Sequence, residues 1–253
     1  MKPKLPQALP VASRAVRTAV VLALGAVLVT SACGSSTPSS VATPAGGGAG
    51  AGSATTDAGS GAGTTTNGIR LEAQLAPGGP GGVAVGAGIA AAPGYVVRYT
   101  VTNTTSEPVL ARDVVPRDLG SATLAADVER EHVWVYEQDG VLRLSKQGFA
   151  PAPNVRFAAA PVVGGHTIAP GASLTGRAYA VSPPRLHVPG ESFEAPRTPV
   201  GRSVSQWQFC VQVDGEVAQA RPSAVGGGVV QVAATAPAGD DLVCTPATPI
   251  PRA

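Results

Sequence analysis

Three histidines, a run of clustered carboxylates and three cysteines are the side chains in this 253-residue chain with chemistry to offer. His132, His166 and His187 stand far apart and form no His-x-His, His-x₃-His or Cys-x₂-Cys spacing, and Met1 is the only methionine. Neither a zinc site nor a Met/His copper site has a ligand set, so no metal or other cofactor is expected. The three histidines read as surface or structural groups. The acids Asp127, Glu129, Glu131, Glu137 and Asp139 lie close in sequence. Paired acids hydrolyse glycosides when a pocket holds them a few ångströms apart. Here they alternate with Arg130 and border a turn, and the pattern reads as a solvated edge that discourages strand-to-strand association. Gly171-Ala-Ser173-Leu-Thr-Gly176 has its last glycine one residue too far for a nucleophile elbow. Gly86-Ala-Gly88-Ile-Ala-Ala91 imitates a dinucleotide fingerprint, but Pro93-Gly94 blocks the helix whose start would hold a pyrophosphate. No catalytic residue is assigned, and a hydrolase is the least supported class.

The strongest signal is at the start of the chain. Lys2, Lys4, Arg14 and Arg17 precede an uncharged apolar run, Ala19 to Val29, of about eleven residues. That suits a signal-peptide core and falls short of the ~20 residues that span a bilayer. Thr30-Ser31-Ala32-Cys33 then resembles the lipobox of bacterial lipoproteins. The resemblance implies that residues 1–32 are removed and that Cys33 carries diacylglyceryl and fatty acyl chains such as palmitate. Two or more such chains hold stably at a membrane. The expected location is the extracytoplasmic face of the cell membrane, with the membrane itself as partner through Cys33. Removing that leader changes the charge: 18 basic and 16 acidic residues become 14 and 16, a net charge of −2. A nucleic-acid partner therefore has no electrostatic basis. Lys146 is the only lysine left, an arginine-rich usage that resembles GC-rich actinobacterial genomes.

With Cys33 lipidated, Cys210 and Cys244 remain as an even pair in an oxidising compartment, and a disulfide is expected between them. In Ser203 to Val213 the apolar set is Trp207, Phe209, Val211 and Val213, which places Cys210 among the outward Gln206, Gln208 and Gln212. The bridge would then staple the Pro-rich tail, residues 235–253, across an outer face. One aromatic group invites a binding hypothesis: Trp134, Tyr136 and Arg143. If exposed, they make a patch for a protein or glycan of the envelope. If buried, they pack against a second sheet.

The elements that must position these groups follow from alternation. Residues 33–67 are nearly all Gly, Ser, Ala, Thr and Pro, and they read as a flexible tether with nothing to bury. A folded domain is expected over residues 68–234. Ile69, Leu71, Ala73 and Leu75 alternate with Arg70, Glu72 and Gln74, and Tyr95 to Thr102 repeats the pattern. Further strands are expected at Val83–Val85, Val109–Ala111, Ser173–Val181, Ser203–Val213 and Val229–Ala233. Val133 to Lys146 reads as a hairpin turned at Asp139-Gly140. In its register Val135 faces Leu144, and Trp134 and Tyr136 share the other side with Arg143 and Ser145. Leu119 to Arg130 is the one stretch where a short helix is expected.

Short strands, frequent turns and no βαβ rhythm make the expected fold all-β, an antiparallel immunoglobulin-like β-sandwich preceded by a signal peptide and a disordered linker, with a closed barrel as alternative. The order of Tyr99-Thr100-Val101-Thr102-Asn103 with Pro108-Val109, the Asp139-Gly140 hairpin, Ser145 to Phe149 and Ile168-x-Pro170-Gly171 resembles the BsuPI-type proteinase-inhibitor domain. That resemblance implies an immunoglobulin-like sandwich in an exported bacterial protein. The expected role is non-enzymatic, a membrane-anchored binding or envelope-scaffold protein, with inhibition of extracytoplasmic proteases as the alternative.

Overall fold

The computed structural model describes residues 60–81, 93–150, 156–189 and 198–251. The leader, Cys33, most of the tether, the Val83–Val85 strand and the Gly86–Ala91 turn lie outside the described residues. The chain forms β1 (Ser60–Thr66), β2 (Ile69–Gly78), β3 (Gly94–Asn103), β4 (Val109–Val114), β5 (Trp134–Gln138), β6 (Val141–Lys146), β7 (Val162–Ile168), β8 (Ser173–Val181), β9 (Gln206–Asp214), β10 (Arg221–Pro222), β11 (Val230–Ala233), β12 (Leu242–Cys244) and β13 (Thr248–Pro249). Two sheets result. The smaller runs β1-β2-β3-β8, and the larger runs β10-β11-β7-β4-β9-β6-β5, with β12 and β13 also pairing β9. The fold is thus an all-β sandwich. Its larger sheet is mixed, because β6 runs parallel to β9.

Alternation sets the layers. Ile69, Leu71, Ala73 and Leu75 of β2 meet Val97, Tyr99 and Val101 of β3, and they pack onto Val135, Leu144, Trp207, Phe209 and Val211 of the larger sheet. The β5–β6 hairpin has the expected register: Val135 opposite Leu144, Trp134 opposite Ser145, Tyr136 opposite Arg143. Asp139 and Gly140 both have positive φ, as a two-residue primed turn requires. Removing the core side chains from water at ~25 cal/mol per Å² is the main favourable term in such a fold.

Several expectations need correction. The tether does not extend to residue 67, because Ser60–Thr66 pairs with β2 in an unbroken antiparallel register closed by an Asn67-Gly68 turn with positive φ at both residues. An edge strand is held by backbone hydrogen bonds, and it can form without a large apolar residue. Leu119 to Arg130 is not helical. It is a turn-rich excursion pinned by buried Leu119 and Leu124. Val162–Ile168 is a strand that its Gly164-Gly165 pair conceals. Residues 242–249 are part of the larger sheet, with Val243 in the central core. The disulfide does join Cys210 to Cys244. It links directly opposed residues of β9 and β12, in the same outward row of the larger sheet as Ser145 and Trp134. Cys210 is buried, as is Gln212, because the outer side of the larger sheet carries a second apolar layer. That layer contains Leu110, Val115, Leu119, Trp134, Val163 and Val232, covered by Phe149 and Tyr136.

Candidate functional site

The site begins with an irregularity in β4. Its register against β7 shifts between Ala111 and Val114, so Arg112 and Asp113 fall in a bulge. Bulges re-aim side chains, and here they send neighbouring charges in different directions. Gly165 makes this possible, because a Cβ there would collide with the Ala111 carbonyl oxygen. Arg112, 1% exposed, donates to Asp214 (2.7 Å), Glu216 (2.7 Å) and the Ala233 carbonyl (2.7 Å). Asp113 meets Nδ1 of His166 on β7 at 2.8 Å. The Asp113 hydrogen bond raises the pKa of His166, burial opposes it, and a backbone hydrogen bond at Gly227 raises it further.

Beneath this pair lies Lys146, wholly buried. Its Nζ donates to the backbone carbonyls of Asp113 (2.7 Å) and Arg130 (2.6 Å) and sits 5.9 Å from the Tyr99 ring centroid. Burial pushes its pKa down to about 8, against the pull of Asp113, Glu131 and Glu129. The Tyr99 phenol is raised well above its ordinary value, first by burial and then by the Asp113 charge. Tyr99 lies across Gly176 of β8, where a Cβ would strike its ring. Lys146 holds the excursion and the bulge together through two carbonyls, which is a structural use of a charge with no route to solvent.

Asp113 and His166 open onto a cleft of about 1020 Å³. The cleft runs from them past β8 onto the outer face of the smaller sheet, where the registers stack three polar rows. The first is Gly61, Gln74, Arg98, Arg177, the second Gly63, Glu72, Thr100, Thr175, and the third Thr65, Arg70, Thr102, Ser173. Arg98 and Arg177 are therefore directly opposed like charges. Arg177 gives its Nε to Glu131 at 2.9 Å, and Glu72 is engaged by Arg70 at 3.0 Å. Arg130, also in the cleft lining, donates to the Gly226 carbonyl at 3.2 Å.

The sequence-selected residues distribute differently. Trp134 is fully buried, its Nε1–H donating to the Gln147 carbonyl at 2.9 Å and its ring edge-on to Phe149 and His132. It belongs to the outer apolar layer, neither on the surface nor between the sheets, so the Trp134, Tyr136 and Arg143 patch does not form as an exposed group. Tyr136 is half-buried against Phe149, and Arg143 donates to Gln138 at 2.7 Å. Of the clustered acids, Glu131 lines the cleft and Glu129 pairs with Arg117 at 2.6 Å, while Glu137 and Asp139 are exposed. These acids belong to an excursion and a hairpin tip, not to one strand edge. Ser173 is a rung of the outer face, its hydroxyl 2.8 Å from Thr102. His132 stacks on His187 with centroids 4.6 Å apart. Burial drives the His132 pKa down to about 2. Sequence reasoning missed Asp113, His166, Arg98 and Arg177 as a group, since only the bulge and the sheet registers bring them together.

Among the described residues, no three His, Cys, Asp or Glu side chains gather as metal ligands. No described helix is long and apolar enough to cross a membrane. Comparison with known proteins found no matching family model, no matching curated protein and no matching solved structure.

Proposed function

We propose that this protein is a lipid-anchored extracytoplasmic binding module, held to the membrane through Cys33 and engaging its ligand in the cleft beside Asp113 and His166. The observation that carries the reading is the cleft itself, a concavity of about 1020 Å³ lined by ionic groups. Sites of this kind use a few fixed polar groups to orient a ligand. Binding suits the cleft better than bond-breaking does. The His166 ring is engaged by Asp113 and by the backbone at Gly227, and among the described residues no hydroxyl or thiol is bonded to it. A disulfide between Cys210 and Cys244 accords with an exported chain.

Labelling cells with radioactive palmitate and fractionating them tests the anchor. The chain is expected in the membrane fraction with label, and Cys33→Ser is expected to lose both. Recovery of the unsubstituted chain in the cytosol with its leader attached would overturn the reading. Photo-crosslinkers placed at Thr100 and Gln74 test the cleft: they should capture an envelope component that a crosslinker at exposed Asp139 does not.

A further inference from the structure

The free edge of β8 faces the cleft, and its hydrogen-bonding groups have a definite direction. Tyr179 donates its backbone N–H to the Glu131 carbonyl at 2.9 Å, on the side away from β3. At the two ends of β3 the Ala172 carbonyl accepts from the Asn103 N–H and the Ser182 N–H donates to the Pro93 carbonyl. In an antiparallel strand successive residues alternate sides. Thr175 and Arg177 therefore point their N–H and C=O groups outward at the free edge, as Tyr179 does, and β8 pairs only with β3 among the described strands. Glu131 shows that this edge accepts an incoming carbonyl.

The same edge is flanked by charge. On the outer face Arg98 and Arg177 oppose each other directly, with Arg130 in the same cleft and Glu131, among the described residues, the one carboxylate bonded to any of them. Asp113 is engaged by His166 and Glu72 by Arg70. Three arginines and three carboxylates line the cleft, and among the described residues Arg98 and Arg130 are the two arginines with no carboxylate bonded to them. A strand laid along β8 would place the side chain opposite Thr175, diagonal to Arg177, on the outer face and the flanking side chains inward, beside Leu174 and Gly176. We propose that the cleft recognises an extended peptide that adds as a strand to the edge of β8 at Thr175 and Arg177 and sets a carboxylate against Arg98 and Arg177. This rests on the binding-module reading and deepens it. Main-chain bonds supply affinity in such docking, and side-chain pockets supply the choice of sequence.

The test uses the full chain in mild detergent and a blocked pentapeptide with glutamate at its centre, valines on either side and threonines at the ends. A lysine-centred counterpart is the control. The glutamate peptide should protect the amides of Thr175 and Arg177 from hydrogen exchange in a saturable way, and the lysine peptide should bind about tenfold more weakly or not at all. Thr175→Pro removes an edge donor that β3 does not use, and it should weaken binding by about tenfold, the worth of one good hydrogen bond. Arg98→Gln, which leaves the backbone untouched, should weaken it severalfold and flatten its salt dependence. No binding, equal binding of the lysine peptide, or protection confined to β1 would overturn strand docking. Unchanged Cys33-dependent membrane attachment and cleft crosslinking would then leave the broader reading standing.

Discussion

Arg112 and Asp113 are neighbours in the chain, both buried, and the same bulge in β4 gives them different surroundings. Arg112 is closed in by Asp214, Glu216 and the Ala233 carbonyl. Asp113 meets the His166 imidazole and the Tyr99 phenol and lines a cleft. The difference teaches that burial alone does not separate a structural charge from a usable one. What separates them is whether the partners exhaust the group's hydrogen bonds, and whether space remains in front of it.

The largest expected effects lie on the sealed side. Arg112→Ala should cost about 3–5 kcal/mol in urea unfolding, because it strands Asp214 in the interior without its partner. A loss under 1 kcal/mol would place the two ionic groups on an equal footing and end the comparison. Trp134→Ala belongs to the closed outer layer and should cost about 3–5 kcal/mol as well, through cavity formation. A nearly neutral result there would revive the surface patch.

Asp113→Asn is expected to be milder, about 1–2 kcal/mol at pH 6, since His166 is partly open to solvent and only the charged hydrogen bond is lost. Its pH dependence sharpens the contrast. His166 has a raised pKa in the folded protein, so its contribution is fully present below the unfolded value of about 6.5 and fades as pH rises through the folded value. His132 has the opposite sign. Its folded pKa, lowered to about 2, means the unfolded chain takes up the proton first, and stability falls as pH drops below about 6.5, by up to ~1.4 kcal/mol per pH unit. Urea midpoints at pH 7 and 5 should drop in the unsubstituted protein and drop less in His132→Phe. The smallest effect belongs to the exposed Arg70–Glu72 pair, where Glu72→Gln should change stability by less than about 0.5 kcal/mol in the same assay.

Where side-chain alternation dictates the layer, the sequence was a good guide. The inward faces of β2, β3 and β9 and both faces of the β5–β6 hairpin follow from it, whereas the pairing of Cys210 with Cys244 came from counting cysteines. It failed where backbone bonding governs instead. Ser60–Thr66 has no large apolar residue, yet β2 offers it a free ladder, and the Asn67-Gly68 turn was the available sign. Val162–Ile168 hides behind two glycines whose reason is the neighbouring bulge, visible only when β4 lies beside it. The cleft was illegible for the same cause. Asp113 and His166 are 53 positions apart. No local pattern marks either residue, and the opposed arginines are a product of register. Trp134 was read correctly as belonging to one side of its hairpin, but neither alternative for it, an exposed patch or packing against the second sheet, named the layer it occupies, because a second apolar layer outside a sheet leaves no periodic trace.

The seven residues of β1 pair as a strand with β2 alone among the described strands, and the covalent path toward residue 33 leaves from Ser60. Any pull along that path reaches this strand before any other described strand and can peel its rungs one after another. The core residues of β2 beneath would stay packed. The first mechanical response of the molecule would then be to lengthen by a short ribbon, removing the wall of the cleft at Gly61 and Gly63 before β3 and β8 feel the load.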